Sequence, residues 1–567
     1  MAYVDERPFE ARIVRAAYAA AFIFLGLGGI GGIIQALHRT DYFRFVGEMT
    51  DGTYYTVLTS HGVWLGLFFT IFFLVGTFTW AITRSLDREL GNPRITKYWI
   101  TSMVVGSLLT SAAIVGGFFN AVPMEANVLY TMYAPLQAHP VFYIGLAMFV
   151  TGTWVAGYDW ISTYWAWRSE NKGERIPLLA FMVLTTTVMW YITTLGIAVE
   201  VVFFLIPWSL GLVSEVNPTL TRTLFWYFGH AVVYFWLLPA YLLWYAVLPK
   251  LSGGRLFSDP LARVVFLLFL ILSVPTGIHH QYLDPGIPEG FKFVAMTNTM
   301  FLLLPSLLTA FTVVASIEHG GRQRGGSGYL GWLRALPWSN PAFSGMALAG
   351  LMFAAGGFSG MINAGMNINY LVHNTIWIPG HFHLTVGTAS ALSFMAGAYW
   401  LLPQVTGKKL AAKKVAAVQP FLWFIGMTFM SNAMHRAGLF GVPRRVAEQE
   451  YEAFSYDPTF GTMSSINFQI ALGAGILILS LFLFLYVVAR TWFGTRVDNP
   501  VDETLPSALS GPEHSPRVLD NLKLWAGIAL LLVVLAYALP LGYIAADGIY
   551  SGSETFPTFI EALEVLT

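Results

Sequence analysis

The chain has 567 residues, of which 56% are hydrophobic, 16% aromatic and only 11% charged, with zero formal net charge and a mean hydropathy of +0.61. A soluble domain carries about 25% charged residues, so lipid is the solvent for most of this chain, and a length that would otherwise make roughly three or four domains reads as one polytopic all-α unit over residues 1–567. Neutral charge removes any argument for nucleic-acid binding, and the absence of cysteine excludes disulfides, iron–sulfur clusters and thiolate zinc or copper sites within the chain.

The first fifteen residues, MAYVDERPFEARIVR, are polar and include three arginines. The apolar run behind them is long enough to span and shows no small-residue cleavage site, which predicts a retained first helix rather than a signal peptide. A span needs about 20 predominantly apolar residues. By that measure thirteen follow in order: 16–37, 57–83, 98–120, 139–166, 177–208, 222–248, 262–282, 295–317, 342–364, 374–403, 416–440, 465–489 and 522–546. With the amino terminus inside, the cytoplasmic segments hold 24 of the 31 Lys and Arg, among them Arg84, Arg88, Arg94, Lys97, Lys408, Lys409, Lys413 and Lys414. An odd count then places the acidic carboxyl terminus (Glu554, Glu561, Glu564) outside. No internal repeat or low-complexity tract interrupts the series.

Six histidines fall near the outer ends of four of these spans, and ionisable groups at membrane depth are costly enough to mark function by default. His61 stands alone in the second span, in LTSHGVWLG. His230 opens a polar stripe down the sixth: Tyr234 is four residues on, and Tyr241 and Tyr245 fall within about 20° of it on the same face. Thr309 and Thr312 on the eighth span and Ser258 in the inner loop could extend this row of hydroxyls, which can relay protons from the cytoplasm, although such stripes are ordinarily packing. His279 and His280 close the seventh span in VPTGIHHQYLDPG, where Pro275 and Gly277 could loosen the helix and turn both imidazoles toward one ion. With His230 they would make a three-nitrogen site of the kind that suits copper with a vacant position. In the tenth span His381 and His383 are two apart and point to nearly opposite faces, so they can serve two metal groups but not one without unwinding. If His383 faces His61 across a haem, that iron has no open position and carries electrons only. A haem on His381 alone would have one, about 3 Å away along the helix axis. Arg444 and Arg445, outside after the eleventh span, could hold carboxylates through bidentate bonds, with His373 and Asn374 at the same level.

WYFGHAVVYFWLLPAY, TGIHHQY and HNTIWIPGHFHL resemble subunit I of the haem–copper oxidases, most nearly the B-type or ba-type cytochrome c oxidases. The resemblance extends over nearly the whole chain. It implies that His61 and His383 ligate a low-spin haem (b-type), that His381 is the proximal ligand of a high-spin, oxygen-binding haem (a-type), and that His230, His279 and His280 bind copper B. It implies that Tyr234 is the tyrosine covalently linked to His230. Tyr241, Tyr245, Ser258, Thr309 and Thr312 match the single cytoplasmic proton channel, while Arg444, Arg445 and His373 match groups near the haem propionates. Two positions depart from the pattern: Ala231 stands where the motif commonly has proline, and Asn369 where B-type relatives often have an aspartate. GHAVVY also lacks the glutamate usual in A-type members, which agrees with the B-type placement.

The implied activity is reduction of dioxygen to water, with protons from the cytoplasm, Tyr234 supplying an electron and a proton, and pumping besides. Without cysteine the chain must receive electrons through a partner. The resemblance supplies a subunit II carrying copper A, an external donor (cytochrome c or a blue copper protein) and a small single-span subunit, all in a prokaryotic plasma membrane. A nitric oxide reductase of the same superfamily would hold iron in place of copper and would not need Tyr234. A transporter using histidines as a proton relay would place them at the midplane, usually with internal repeats.

Overall fold

Asparagine, serine and threonine side chains stand at the starts of the long helices, often just ahead of a proline. Asn217 accepts from the Thr219 and Leu220 amides, Asn340 from Ala342 and Phe343, Ser258 from Leu261, and Thr462 from Ser465. Each satisfies amides that a first turn leaves bare, and the following proline lacks one to satisfy. These caps lie in the computed structural model, which describes residues 3–40, 49–119, 124–447, 462–498, 500–546 and 548. Glu554, Glu561 and Glu564 lie outside the described residues.

Thirteen long helical elements follow in chain order: α1 Pro8–Thr40, α2 Asp51–Ser85, α3 Pro93–Phe119, α4 Pro140–Glu170, α5 Leu178–Ser209, α6 Pro218–Ser252, α7 Asp259–Leu272 continuing as Val274–Gln281, α8 Glu289–Gln323, α9 Pro341–Ala364, α10 Trp377–Leu384 continuing to Thr406, α11 Lys413–Leu439, α12 Met463–Trp492 and α13 Leu522–Ala546. Ten are long and apolar enough to cross a membrane, and the bent α7 makes eleven. The other two, α10 and α11, coincide with the tenth and eleventh expected spans but carry more histidine, threonine, serine and lysine. Several helices overrun the apolar stretches, α6 beginning at Pro218 instead of 222 and ending at Ser252 instead of 248. Backbone hydrogen bonding continues into the interface until a cap or a glycine such as Gly253 (φ 82°) stops it.

Three irregularities among the described residues, all π-helical turns, were not legible from periodicity. α2 contains a π-helical turn at Trp64–Phe69, α5 one at Glu200–Leu205, and α10 one at Thr385–Ser390. α7 breaks at Ser273 by 52° into a 3₁₀ turn that carries His279 and His280. The core is aromatic: Tyr18, Phe73 and Phe394 stack across α1, α2 and α10 at 4.9 and 4.6 Å, and Trp80 meets Trp400 edge-on at 5.5 Å.

The segment between α12 and α13 runs across one set of helix ends. Glu503 accepts from the Tyr3 amide (3.0 Å), Asp502 pairs with Lys250 (2.7 Å), and Arg255 bonds Ser507 and Ala508. The Ser510 carbonyl accepts from the Asp259 amide at 2.9 Å. Arg263, fully buried, reaches Asp259 at 2.6 Å and Asp520 at 2.7 Å, and Asp520 also pairs with Arg175.

Candidate metal centres

The 3₁₀ turn of α7 packs directly on α6. A Cβ on Gly277 would fall 2.8 Å from the Trp226 carbonyl carbon and nearer still to its oxygen, so only glycine allows this approach. The consequence is local. His280 stacks on the Trp226 indole at 3.9 Å, His230 Nδ1 and His280 Nε2 stand 3.2 Å apart, and the His230 and His279 rings meet edge-on at 4.2 Å. Ligand nitrogens of all three histidines lie within 4.8 Å of one another. Two nitrogens bound at about 2.0 Å to one ion are about 3.3 Å apart at a tetrahedral angle, so the donor set fits a single metal. Tyr234 sits beside it, its ring 4.9 Å from that of His230, whose Nε2 is buried without a hydrogen-bond partner.

The Thr299 hydroxyl gives its proton to the Ala295 carbonyl (2.6 Å), so at 2.7 Å it can only accept from His279 Nδ1. That fixes the tautomer and leaves Nε2 with its lone pair, the condition for a ligand. His381 is held likewise: Ser359 Oγ donates to Gly356 O (2.9 Å), and His381 Nδ1 donates to the same carbonyl (3.0 Å) and to Ser359 Oγ (2.9 Å). His61 donates from Nδ1 to Gly28 O at 2.9 Å, and His383 to Pro379 O at 2.7 Å.

The divergence of His381 and His383 puts the first against α9 and turns the second toward α2. There the planes of the His383 and His61 rings lie 14° from parallel, with 6.2 Å between ring centres. A metal bound to both, with about 2.0 Å to each nitrogen and about 1.1 Å from nitrogen to ring centre, needs about 6.2 Å. α1 leaves room for His61 through Gly32, where a Cβ would lie 2.5 Å from His61 Cε1. Both histidines line a cavity of about 610 Å³, whose walls include Gly29, Trp236, Phe382, Arg444 and Arg445. That volume is within the range of cofactor pockets.

Arg444 and Arg445 cap this cavity from outside. Their loop is pinned to the start of α10 by Ile376 N to Val442 O (2.8 Å) and Arg444 N to Asn374 O (2.9 Å). Arg444 Nε and Arg445 Nη2 are buried without partners, and Arg445 lies over the Tyr130 ring at 5.5 Å. Unpaired guanidinium donors in a cavity wall suit a carboxylate-bearing group. Sequence reading missed Arg39 on α1, which lines the same cavity and holds Pro443 O and Val446 O at 2.9 Å each. No spacing links residue 39 to the loop near 443, so no sequence signal could have found it. His373 donates from Nδ1 to Asn369 Oδ1 at 3.0 Å, and burial, then the charges of Arg444 and Arg222, push its pKa down to about 4. It is neutral at neutral pH.

Below the three-histidine cluster, Tyr245 is joined directly to Thr309 at 2.7 Å; Thr309 gives its own proton to Pro305 O, so Tyr245 donates. Tyr241 lies between, its ring 6.1 Å from that of Tyr245. Thr312 returns its hydroxyl to Leu308 O, and Ser258 Oγ caps α7. Ser316, not singled out from sequence, joins their neighbourhoods: it donates to Thr312 O (2.6 Å) and accepts from the Phe257 amide (2.8 Å).

A sequence-family profile described as "Cytochrome C and Quinol oxidase polypeptide I" matches residues 12–476. Among curated proteins, the chain is 41% identical over 530 residues to cytochrome c oxidase subunit 1 of Thermus thermophilus, covering 91% of this chain and 92% of that protein. It is 24% identical over 520 residues to the subunit of the same name from Thermostichus vulcanus, covering 88% and 87%. Among solved structures, a chain from a cryo-EM structure of a haem–copper terminal oxidase dimer superposes with a TM-score of 0.87 at 33% identity, covering 98% of this chain and 97% of that one.

Proposed function

The chain belongs to the cytochrome c and quinol oxidase polypeptide I family, as the catalytic subunit of a haem–copper terminal oxidase in a membrane, and from that premise we propose how its residues divide the work. Family membership brings haems, copper B and a subunit II partner. The finer assignment is ours: His61 and His383 hold a low-spin haem, b-type; His381 holds a high-spin haem, a-type; His230, His279 and His280 hold the copper. The single observation that carries this division is the pair of geometries, one imidazole pair with ring centres 6.2 Å apart and one three-imidazole cluster with ligand nitrogens within 4.8 Å. When bound there, the metals supply dioxygen binding and electron transfer.

The chain's own groups do the rest. Nδ1 hydrogen bonds keep four imidazoles in the tautomer that presents Nε2. Arg444 and Arg445 neutralise and orient haem carboxylates, with His373 beside them. Tyr234 lies next to His230 where it can deliver an electron and a proton together, and the family's covalent link between the two would lock that position. Tyr245, Thr309 and Tyr241 pass protons upward from the cytoplasmic side, with Thr312 and Ser258 as the entrance. Because protons come from inside and electrons, through a copper A subunit, from outside, turnover charges the membrane, each charge storing about 2.3 kcal/mol per 100 mV. Pumping adds to this. The donor is a cytochrome c or a blue copper protein, a small single-span subunit completes the complex, and the membrane is a prokaryotic plasma membrane. The B-type placement rests on GHAVVY, which lacks the glutamate usual in A-type members.

The deciding experiment is an optical difference spectrum with carbon monoxide together with iron and copper counts on the purified complex. Two haems, one of which binds carbon monoxide, with copper present, is the expected result. Haem iron with non-haem iron and no copper would replace this reading by nitric oxide reduction, and a colourless protein would replace it by transport.

A further inference from the structure

Glu200 is wholly buried in α5, and neither of its carboxylate oxygens has a hydrogen-bond partner. It opens the π-helical turn Glu200–Leu205. The described residues contain three such turns, and the other two begin three residues after His61 and two after His383. π-turns inside α-helices gather at functional sites because the extra residue is kept against a local cost. In two of the three cases here the neighbouring function is a proposed metal ligand. In the third, the residue at the turn is an acid.

Its position is bracketed by its neighbours. Gly196, one turn earlier on α5, lies against Leu224 and Tyr227 of α6. His230 is less than one turn further along α6, which runs inward, whereas α5 runs outward. Glu200 therefore stands on the outer side of the three-histidine cluster, opposite the Tyr245–Thr309 link. The titratable side chain that its charge reaches is Tyr143 on α4, whose hydroxyl already accepts from the Ala138 amide at 3.1 Å and makes no bond to Glu200. An unpartnered carboxylate in such a place is strongly disfavoured, so the group rests as a neutral acid. Its carboxyl group makes no hydrogen bond and so ties no neighbouring element in place.

We infer that Glu200 is a redox-linked proton site on the outer side of the metal centres. With electrons on the buried centre the carboxylic acid is intact. As electrons leave for oxygen, the positive charge remaining favours breaking its O–H bond, and the proton departs outward. When electrons return, the carboxylate takes up one proton again. One proton is thus exchanged per cycle of the group, with no net change in the oxygen chemistry. This rests on the oxidase reading for its source of electrons.

The test uses the complete complex, with its partner subunit, reconstituted in lipid vesicles. Reduced-minus-oxidised infrared spectra should show a protonated-carboxyl C=O band that shifts in D₂O and disappears in Glu200→Gln, but persists in Asp159→Asn. Protons released outside per electron should fall in the Gln variant while haem spectra and copper content stay normal. A wild-type complex that reduces oxygen but shows no redox-linked, D₂O-sensitive carboxyl band overturns the inference without any variant. So does a band that survives Glu200→Gln. Failure of oxygen reduction in the wild type would instead overturn the oxidase reading.

Discussion

Replacing Gly277 with alanine should empty the copper site while sparing the low-spin haem. The new Cβ would stand 2.8 Å from the carbonyl carbon of Trp226, where carbon atoms settle at about 3.5 Å or more, so the turn must retreat by at least about 0.7 Å. The α6 backbone cannot yield cheaply, and the Tyr537 hydroxyl on α13 meets the same Cβ. Overpacking of this kind costs about 1–3 kcal/mol, but the larger effect is geometric. His279 and His280 ride on the displaced turn and His230 does not, and metal–ligand distances tolerate only about 0.2 Å. Losing a well-placed ligand should weaken copper binding at least as much as loss of an outer partner does, about 10–100-fold. The assay is copper per iron in purified complex after dialysis against graded chelator, with the spectrum of the low-spin haem as the internal standard. Wild-type copper retention in a variant with normal haem spectra would refute the claim that this glycine sets the cluster.

Three further outcomes follow from the same geometry. His61→Ala should remove the low-spin haem and leave copper bound; normal reduced spectra in the variant would contradict the assignment. Tyr245→Phe deletes the donor in the 2.7 Å bond to Thr309, and if that bond is worth up to about 1.4 kcal/mol in the rate-limiting transfer, turnover falls up to about tenfold with haem content unchanged; unaltered oxygen uptake would make the stripe mere packing. Asp502 is held down to about 2 by its hydrogen bond from Lys250. Because its folded pKa lies below the unfolded value of about 3.9, its contribution is present above pH 4 and lost as pH falls through about 2. With the carboxylate 74% exposed, that contribution is below about 1 kcal/mol. Asp502→Asn should therefore lower Tm slightly at pH 7 and not at pH 2; an equal deficit at both would show that charge is not the cause.

What sequence disclosed here and what it hid have physical reasons. The divergence of His381 and His383 and the loosening at Pro275 and Gly277 both depend on residues close along one helix, where 100° per residue is a sufficient guide. The same arithmetic placed Tyr241 and Tyr245 on one face, and the helices appear where the apolar runs fall. The Tyr245–Thr309 bond needed two helices to be adjacent, which hydrophobicity does not specify. Arg39 reaching Pro443, Trp226 stacking on His280 and Gly32 making room for His61 are contacts between remote segments. The π-turns leave no periodic signature because one extra residue per turn only rotates an already apolar surface. Glu200 was passed over because a single acid in an apolar run looks like a tolerated exception.

The segment between α12 and α13 that crosses the helix ends has a consequence for the order in which the molecule is made. Its partners lie at the very start of the chain, at Tyr3, and in the middle, at Lys250, Arg255, Asp259 and Arg263. Ser258 lies in a stretch whose backbone is tied to residues 509 and 510 through Leu256 O, Phe257 O and the Asp259 amide, and to α8 through the Phe257 amide and Ser316. On a ribosome, these helices emerge and insert long before residues 502–520 exist. The inner doorway of the tyrosine row is thus among the last parts of the protein to close, and a chain truncated before residue 500 should hold its histidines in place while leaving that doorway ajar.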